Sequence, residues 1–384
     1  MEPQEANGYS DNGGGDGATT KVMDPARLQD GLTTFYWWFQ GVHGYASIVI
    51  CVFGIVTNLF NVTILMRKDM RTPTNIFLMW LAISDILTMV PYIPFAAHFY
   101  CPANITPFSH PERFTYGWIM YMLAMVNFVA TTHTVSIWIG VALAAVRFVQ
   151  MKSTSRGPVA KERRIYQVKV VTLAIYVLSC VVLIPNYMTN KLERVERDNV
   201  SFYAMEDIKL ATNETKNITI INVVTYAVVA KIIPCILILV FSGSLVYTLT
   251  LKGRNRRRRL ATSSCSNNSK YSRQATTTRM LLVVIILFII TELPQGILIL
   301  LSASVPGFYT EVYLSLGDLM DFIALLNNSI NFVLYCIMSQ QFRLRFAQMY
   351  LRRRVRLKAV NSETMTNSEK LILREPFTRT TGAE

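Results

Sequence analysis

Residues 280–303 read MLLVVIILFIITELPQGILILLSA, 24 residues with a single ionisable side chain, Glu292. At 1.5 Å per residue such a helix reaches across a hydrocarbon layer about 30 Å thick. Six further runs of the same kind flank it: Tyr45–Met66, Asn75–Ala97, Gly117–Val149, Val168–Met188, Val223–Thr250 and Val312–Met338. Prolines fall inside several of them, at Pro91, Pro94, Pro185, Pro234 and Pro294. Proline breaks helices in water, but a membrane bundle re-satisfies the carbonyls it frees. The reading is an all-α membrane protein, a bundle of seven transmembrane helices.

Composition agrees with this. Of 384 residues, 52% are hydrophobic and 16% charged, whereas a soluble protein has about a quarter of its residues charged. The net charge of +14 does not point to nucleic acid, because Lys and Arg gather in short stretches between apolar runs. These are Arg67–Arg71, the segment holding Lys152, Arg156, Lys161, Arg163 and Arg164, the segment holding Arg254 and Arg256–Arg259, and Arg352–Lys358. Basic loops stay in the cytoplasm. The other loops are mixed or acidic, with Glu2, Glu5, Asp11, Asp16, Asp24 and Asp30 ahead of the first run and Glu311 ahead of the seventh. The N-terminus is therefore expected outside and the C-terminus inside. Sequons at Asn104, Asn199, Asn213 and Asn217 fall in two loops assigned to the outside, consistent with glycosylation there.

Three parts are expected: a disordered extracellular tail over 1–44, a helical domain over 45–350, and a disordered cytoplasmic tail over 351–384. The first 44 residues lack the basic-then-apolar order of a cleavable signal peptide, so targeting falls to the first run. Six cysteines and four histidines show neither CxxC pairs nor metal-ligand spacing. No metal centre, cofactor or catalytic set is expected.

Polar side chains within the runs need partners, because each costs a few kcal/mol in hydrocarbon (about 2.5–3.5 for Asp at a helix centre). Asn58, Asp85, Ser136, Glu292, Asp318, Asp321, Asn327, Asn328 and Asn331 are of this kind. Asp321, Asn328 and Tyr335 recur every seven residues and share one helical face, expected to look into the bundle. Asn58, Asp85, Asn327 and Asn331 also read as plain inter-helix hydrogen bonding. Glu292, two residues before Pro294, must be protonated, paired with a cation or wetted by a cavity. Its cation is either Lys231 from the fifth run or a charged ligand. With Asp318 and Asp321 it would make an acidic cavity that attracts positive charge.

Set in this order, the motifs resemble those of rhodopsin-like (class A) G-protein-coupled receptors over about Gly44–Phe346. Gly54-Ile55-Val56-Thr57-Asn58 resembles the first-helix GxxxN, and Leu81-Ala82-Ile83-Ser84-Asp85 the second-helix LAxxD. Val146-Arg147-Phe148 stands where (D/E)RY is found, and Asn331-Phe332-Val333-Leu334-Tyr335 where NPxxY is found. Phe342–Phe346 resembles the family's short amphipathic eighth helix. The departures are Val146 for an acid, Phe332 for proline, and Glu292 for the sixth-helix Trp. No cysteine lies between Cys101 and Cys180 or between Cys180 and Cys235, so the family's usual bridge from the third helix to the second outer loop cannot form.

Several stretches narrow the likeness to invertebrate myosuppressin and FMRFamide-type receptors: Thr291–Ile297, Leu316–Asp321, Asn331–Ser339, Arg71–Asn75 and the segment around His133 and Trp138. The resemblance implies a plasma-membrane neuropeptide receptor for an amidated peptide ending in Arg-Phe-amide, turning over an inhibitory-type heterotrimeric G protein. His133, Glu292, Asp318 and Asp321 would contact the ligand, and Arg147 the G protein. Asn58, Asp85, Ser136, Asn327, Asn331 and Tyr335 would form the activation network, with a sodium ion near Asp85. The tail, with Ser362, Thr364, Thr366 and Ser368, would recruit arrestin once phosphorylated, and the basic loops would touch anionic lipid. The rival reading is a transporter or channel, against which no internal repeat is visible.

Overall fold

The computed structural model describes residues 25–101, 110–152, 158–189, 192–197, 200–205, 213–260 and 268–351. Among them, seven helical segments are long and apolar enough to cross a membrane. They are α1 (Pro25–Leu65), α2 (Pro73–Phe99), α3 (Tyr116–Lys152), α4 with α5 (Pro158–Val182 and Ile184–Thr189), α6 with α7 (Asn213–Thr225 and Ile233–Leu260), α8 (Asn268–Ser304) and α9 (Leu314–Met338). The short α10 (Gln340–Phe346) follows. A two-stranded antiparallel hairpin, β1 (Leu192–Arg197) with β2 (Val200–Met205), joins the fourth and fifth spans. The end of the bundle carrying it is called the hairpin end, and the opposite one, with Arg67, Lys152 and α10, the basic end. Helix α1 packs on α2 and α9, α3 on α2, α4 and α7, and α8 on α7 and α9.

Local chemistry explains the interruptions. Pro185 has no N–H for the carbonyl of Val181, so α4 stops at Val182 and the chain resumes as α5. Pro234 likewise cannot close a normal turn. The N–H of Ile233 instead reaches five residues back to Val228, and Tyr226–Ile232 winds as a π-helix. Thr72 caps α2 by accepting from the N–H of Asn75, with Pro73 in the first helical position. Helix α10 is capped by Ser339, whose hydroxyl accepts from Phe342 N–H. Phe342 of this helix is buried, while Arg343 donates to the terminal carbonyls of α9 at Cys336 and Ile337. Arg345 pairs with Asp69 in the loop between α1 and α2.

One expectation is corrected. Residues 25–44 are not a disordered tail: α1 begins at Pro25, twenty residues ahead of the apolar run. The stretch Phe35–Phe39 is aromatic, and Phe39 meets Phe322 of α9 edge-on at 5.9 Å while Trp37 and Trp38 are exposed. Aromatic rings at a membrane boundary favour this place, where one face is apolar and the other wet. Residues 1–24, the tail after Leu351, and the sequons Asn104 and Asn199 lie outside the described residues.

Two loops interlock at the hairpin end without a disulfide. Arg113 donates to the carbonyls of His98 (2.7 Å) and Cys101 (3.1 Å), and His98 stacks on Trp118 at 3.6 Å. Tyr203 N–H of β2 donates to Phe114 O at 2.9 Å, and Phe202 beside it is buried. Among the described residues, Cys51, Cys101, Cys180, Cys235 and Cys336 are free thiols.

Candidate functional site

The seventh span brings its polar face inward, as its seven-residue spacing predicts. Near mid-span Asn58 Nδ2 donates to Asn328 O at 2.9 Å. Asp85 is buried and accepts from Ser136 Oγ at 3.1 Å and Asn331 Nδ2 at 3.0 Å. These bonds tie the first, second, third and seventh spans at one level. A narrow cleft of about 60 Å³ runs from here toward the basic end, lined by Asp85, Ser136, Asn327, Asn331 and, at its far end, Arg147. The cleft has room for an ion or a few waters, and its Asp and Ser oxygens suit a hard cation. Among the described residues the buried Nε of Arg147 finds no hydrogen-bond partner, and its chain neighbour is the apolar Val146. Tyr335 is buried against Phe342, ring to ring at 5.6 Å. Phe332, in the place of a proline, meets Phe60, Phe342 and Phe346 at 5.8, 5.8 and 5.3 Å.

Above this level toward the hairpin end lies a chamber of about 280 Å³. Its wall is tyrosine-rich, with Tyr92, Tyr100, Tyr226 and Tyr313, and its polar groups are His133, Asn186, Gln295, Asp321 and Asn328. His133 and Asn328 line both the chamber and the inner cleft, so they form the partition between them.

The four side chains expected to contact a ligand take different places. Asp321 lines the chamber and is exposed, with no ion pair among the described residues. Among the described residues it accepts a hydrogen bond from Gln295 Nε2, at 3.4 Å. His133 also lines the chamber, but its Nε2 lies 3.1 Å from Glu292 Oε2. Glu292 is fully buried behind it, and Lys231 Nζ, also at 0% exposure, donates to the same oxygen at 2.6 Å. Of the two partners open for Glu292, its cation here is the chain's own lysine. Asp318 sits beyond the chamber wall and accepts from Tyr100 OH at 2.9 Å.

The close approach of the fifth and sixth spans makes the Lys231–Glu292 pair possible. A Cβ on Gly296 would come within 2.8 Å of Lys231 Cβ, so a larger residue there requires the two spans to shift. Gln295, one turn after Glu292 on the same face, completes the node by accepting from Lys231 Nζ at 2.8 Å. Sequence reasoning missed Gln295 and the tyrosines, since nothing in hydropathy distinguishes a chamber wall from packing. It also missed a chain of amides linking the third, fourth and fifth spans. Asn186 Nδ2 donates to Asn127 Oδ1 at 2.8 Å, and Asn222 Nδ2 donates to Asn186 Oδ1 at 3.0 Å. Among the described residues, no group of His, Cys, Asp or Glu is placed to hold a metal ion.

A seven-span bundle with a tyrosine-walled chamber at one end, a polar partition, and a cleft leading to an unpaired arginine at the other is the architecture of a seven-helix signalling receptor. Residues 45–353 match the family described as the serpentine type 7TM GPCR chemoreceptor Srw, and the chain belongs to that family of G-protein-coupled receptors. It is 27% identical to the G-protein coupled receptor dmsr-1 of Caenorhabditis elegans, over 90% of this chain and 75% of that protein. It is 26% identical to the sex peptide receptor-related protein 2 of the same organism, over 80% of this chain and 71% of that one. A shorter match, 29% identical over 33% of this chain and 31% of the relative, is to the sex peptide receptor of Drosophila melanogaster. The family is one of receptors, which are not enzymes.

Proposed function

We propose that this chain is a rhodopsin-like plasma-membrane receptor for an amidated neuropeptide of the FMRFamide or myosuppressin type, with its hairpin end outside the cell. One observation carries the reading: Asp321 is an exposed carboxylate inside a tyrosine-walled chamber, and no side chain of the described residues neutralises it. An arginine guanidinium meets both features, through charge-assisted hydrogen bonds to the carboxylate and stacking on aromatic faces. Sex peptide receptors among the relatives are named for a peptide ligand, which supports the ligand class.

In this reading His133 and Asp321 touch the peptide. Glu292 and Asp318 belong to the site one layer behind, holding His133 and Tyr100. Binding pulls the bundle toward the arrangement that favours the ligand, and the shift passes the His133–Asn328 partition to Asp85, Asn331 and Arg147. Arg147 then engages a heterotrimeric G protein of the inhibitory type at the basic end, where arrestin also docks and Arg and Lys meet anionic lipid. Asp85 and Ser136 are the oxygens that would hold a sodium ion. Asn104, Asn199, Asn213 and Asn217 carry glycans on the outer face.

The test is a panel of amidated peptides and their free-acid counterparts, applied to cells expressing the chain, with nucleotide exchange on the G protein as readout. The expected result is activation by amidated peptides carrying Arg beside the terminal Phe, with the free acids weaker by about tenfold or more, the loss of about one charge-assisted hydrogen bond. No exchange above untransfected cells at verified surface expression overturns the reading.

A further inference from the structure

The chamber holds a contradiction that one side chain resolves. A buried lysine and an open carboxylate share one amide neighbour, yet they do not pair. Lys231 Nζ goes to Glu292 Oε2 (2.6 Å) and Gln295 Oε1 (2.8 Å), and Asp321 is left open. Gln295 stands between them, 8% exposed, with its amide nitrogen 3.4 Å from Asp321 Oδ1. Its orientation is forced, because an amide oxygen faces an ammonium and an amide NH₂ faces a carboxylate. One amide thus separates the two opposite charges and satisfies both.

We propose that Gln295 is the specificity-determining residue of the chamber: it holds Lys231 away from Asp321 and so keeps the carboxylate negative toward an incoming cation. The inference rests on the reading that the chamber takes a positively charged ligand. An ammonium on a flexible four-carbon stem has three N–H donors to place. Two of them are used by Glu292 and Gln295. With Gln295 replaced by an apolar residue, the donor it releases has two open acceptors, Glu292 Oε1 and Asp321, and a turn to Asp321 is the one that brings the ammonium to the chamber. The chamber then carries an internal ion pair instead of a free negative charge, and its preference for cations disappears although Asp321 is still present. The role is one of positioning: Gln295 tunes the charge a ligand meets, through Lys231 and Asp321.

The charge of the chamber is measured without knowing the ligand. Ala324 lines it one turn from Asp321, and Ala324→Cys gives a reporter thiol. Cells displaying this variant are treated with a cationic trimethylammonium methanethiosulfonate or its anionic sulfonate counterpart. The rate at position 324 is read by competition with a fluorescent maleimide, against the parent chain for native thiols. The expected cationic-to-anionic rate ratio is high in the reporter chain and about tenfold or more lower with Asp321→Asn, as focused fields in a cleft dictate. It falls comparably with Gln295→Leu, and adding Asp321→Asn to Gln295→Leu lowers it no further. Adding Lys231→Met together with Glu292→Leu to Gln295→Leu restores it, since no ammonium is left to turn and no carboxylate is left buried without its partner. That restoration separates the charge mechanism from a packing defect, which further substitutions would not cure. Gln295→Met serves as an alternative where Gln295→Leu fails to reach the surface.

An unchanged ratio with Gln295→Leu or Gln295→Met, or no restoration by the joint Lys231→Met and Glu292→Leu change, overturns the role of Gln295 and leaves the cationic chamber standing. An unchanged ratio with Asp321→Asn overturns the cationic chamber itself. No labelling of position 324 by either reagent overturns both, because the chamber is then closed to the outside.

Discussion

Replacing Lys231 by Met removes the buried ammonium that neutralises Glu292 and leaves the carboxylate, among the described residues, facing His133. At the observed 2.6 Å, Coulomb's law with an effective dielectric of about 20 gives an attraction of about 6 kcal/mol. Stripping both ions of water costs several kcal/mol each, so the pair as a whole adds little to stability. Breaking it is another matter, because one charge is then buried uncompensated, at a cost of about 3–5 kcal/mol. The His133 contact at 3.1 Å places Lys231→Met toward the lower figure. Glu292→Leu exposes a buried ammonium whose remaining acceptor is Gln295, and its cost falls in the same range. The double variant carries neither charge and is expected within about 1 kcal/mol of the parent. Equilibrium unfolding of the purified chain in mixed detergent micelles, followed by tryptophan fluorescence, supplies the three free-energy differences. A coupling of at least about 2 kcal/mol follows from the geometry, and a double variant as costly as the two single ones together refutes it.

Two further outcomes follow. Because Tyr203, Phe114 and the buried Phe202 hold the hairpin in place of a disulfide, treating intact cells with dithiothreitol leaves receptor activation unchanged; a large loss of response would show a covalent tether. Val146→Asp supplies the acid missing beside Arg147 and is expected to lower ligand-independent signalling several-fold, measured as second messenger at matched surface expression; equal basal levels in both chains, or in cells with and without the receptor, count against an unrestrained Arg147.

The seven spans were readable from hydropathy alone, since each must cover the same apolar thickness, and most helix ends lie within a few residues of the runs. Those coinciding with polar or aromatic stretches do not. Helix α1 starts at Pro25 because Phe35–Phe39 settle at a boundary that mean hydropathy scores as neither water nor oil. The prolines announced irregularity without its form: Pro185 splits the fourth span, whereas Pro234 is absorbed by a π-helix. The inward face of the seventh span followed from spacing by sevens. The partner of Glu292 was narrowed to two, Lys231 or a ligand, and only the rotation of the fifth span about its π-helix decides between them. Gln295 could not be seen from the chain, because an amide takes its meaning from what stands on either side of it.

Ligand recognition turns on Asp321 meeting a cation, and one comparison tests that most directly. Phe-Met-Arg-Phe-amide and its analogue with citrulline for arginine differ by one charge and almost nothing in shape. On the unaltered chain the arginine peptide is expected to be about 10–100-fold more potent, the worth of one charge-assisted hydrogen bond of about 1.5–3 kcal/mol. On Asp321→Asn, at equal surface expression, the two should converge to within about threefold, through loss of potency by the arginine peptide alone. A full arginine preference persisting on Asp321→Asn, or equal potency of the two peptides on the unaltered chain, contradicts it.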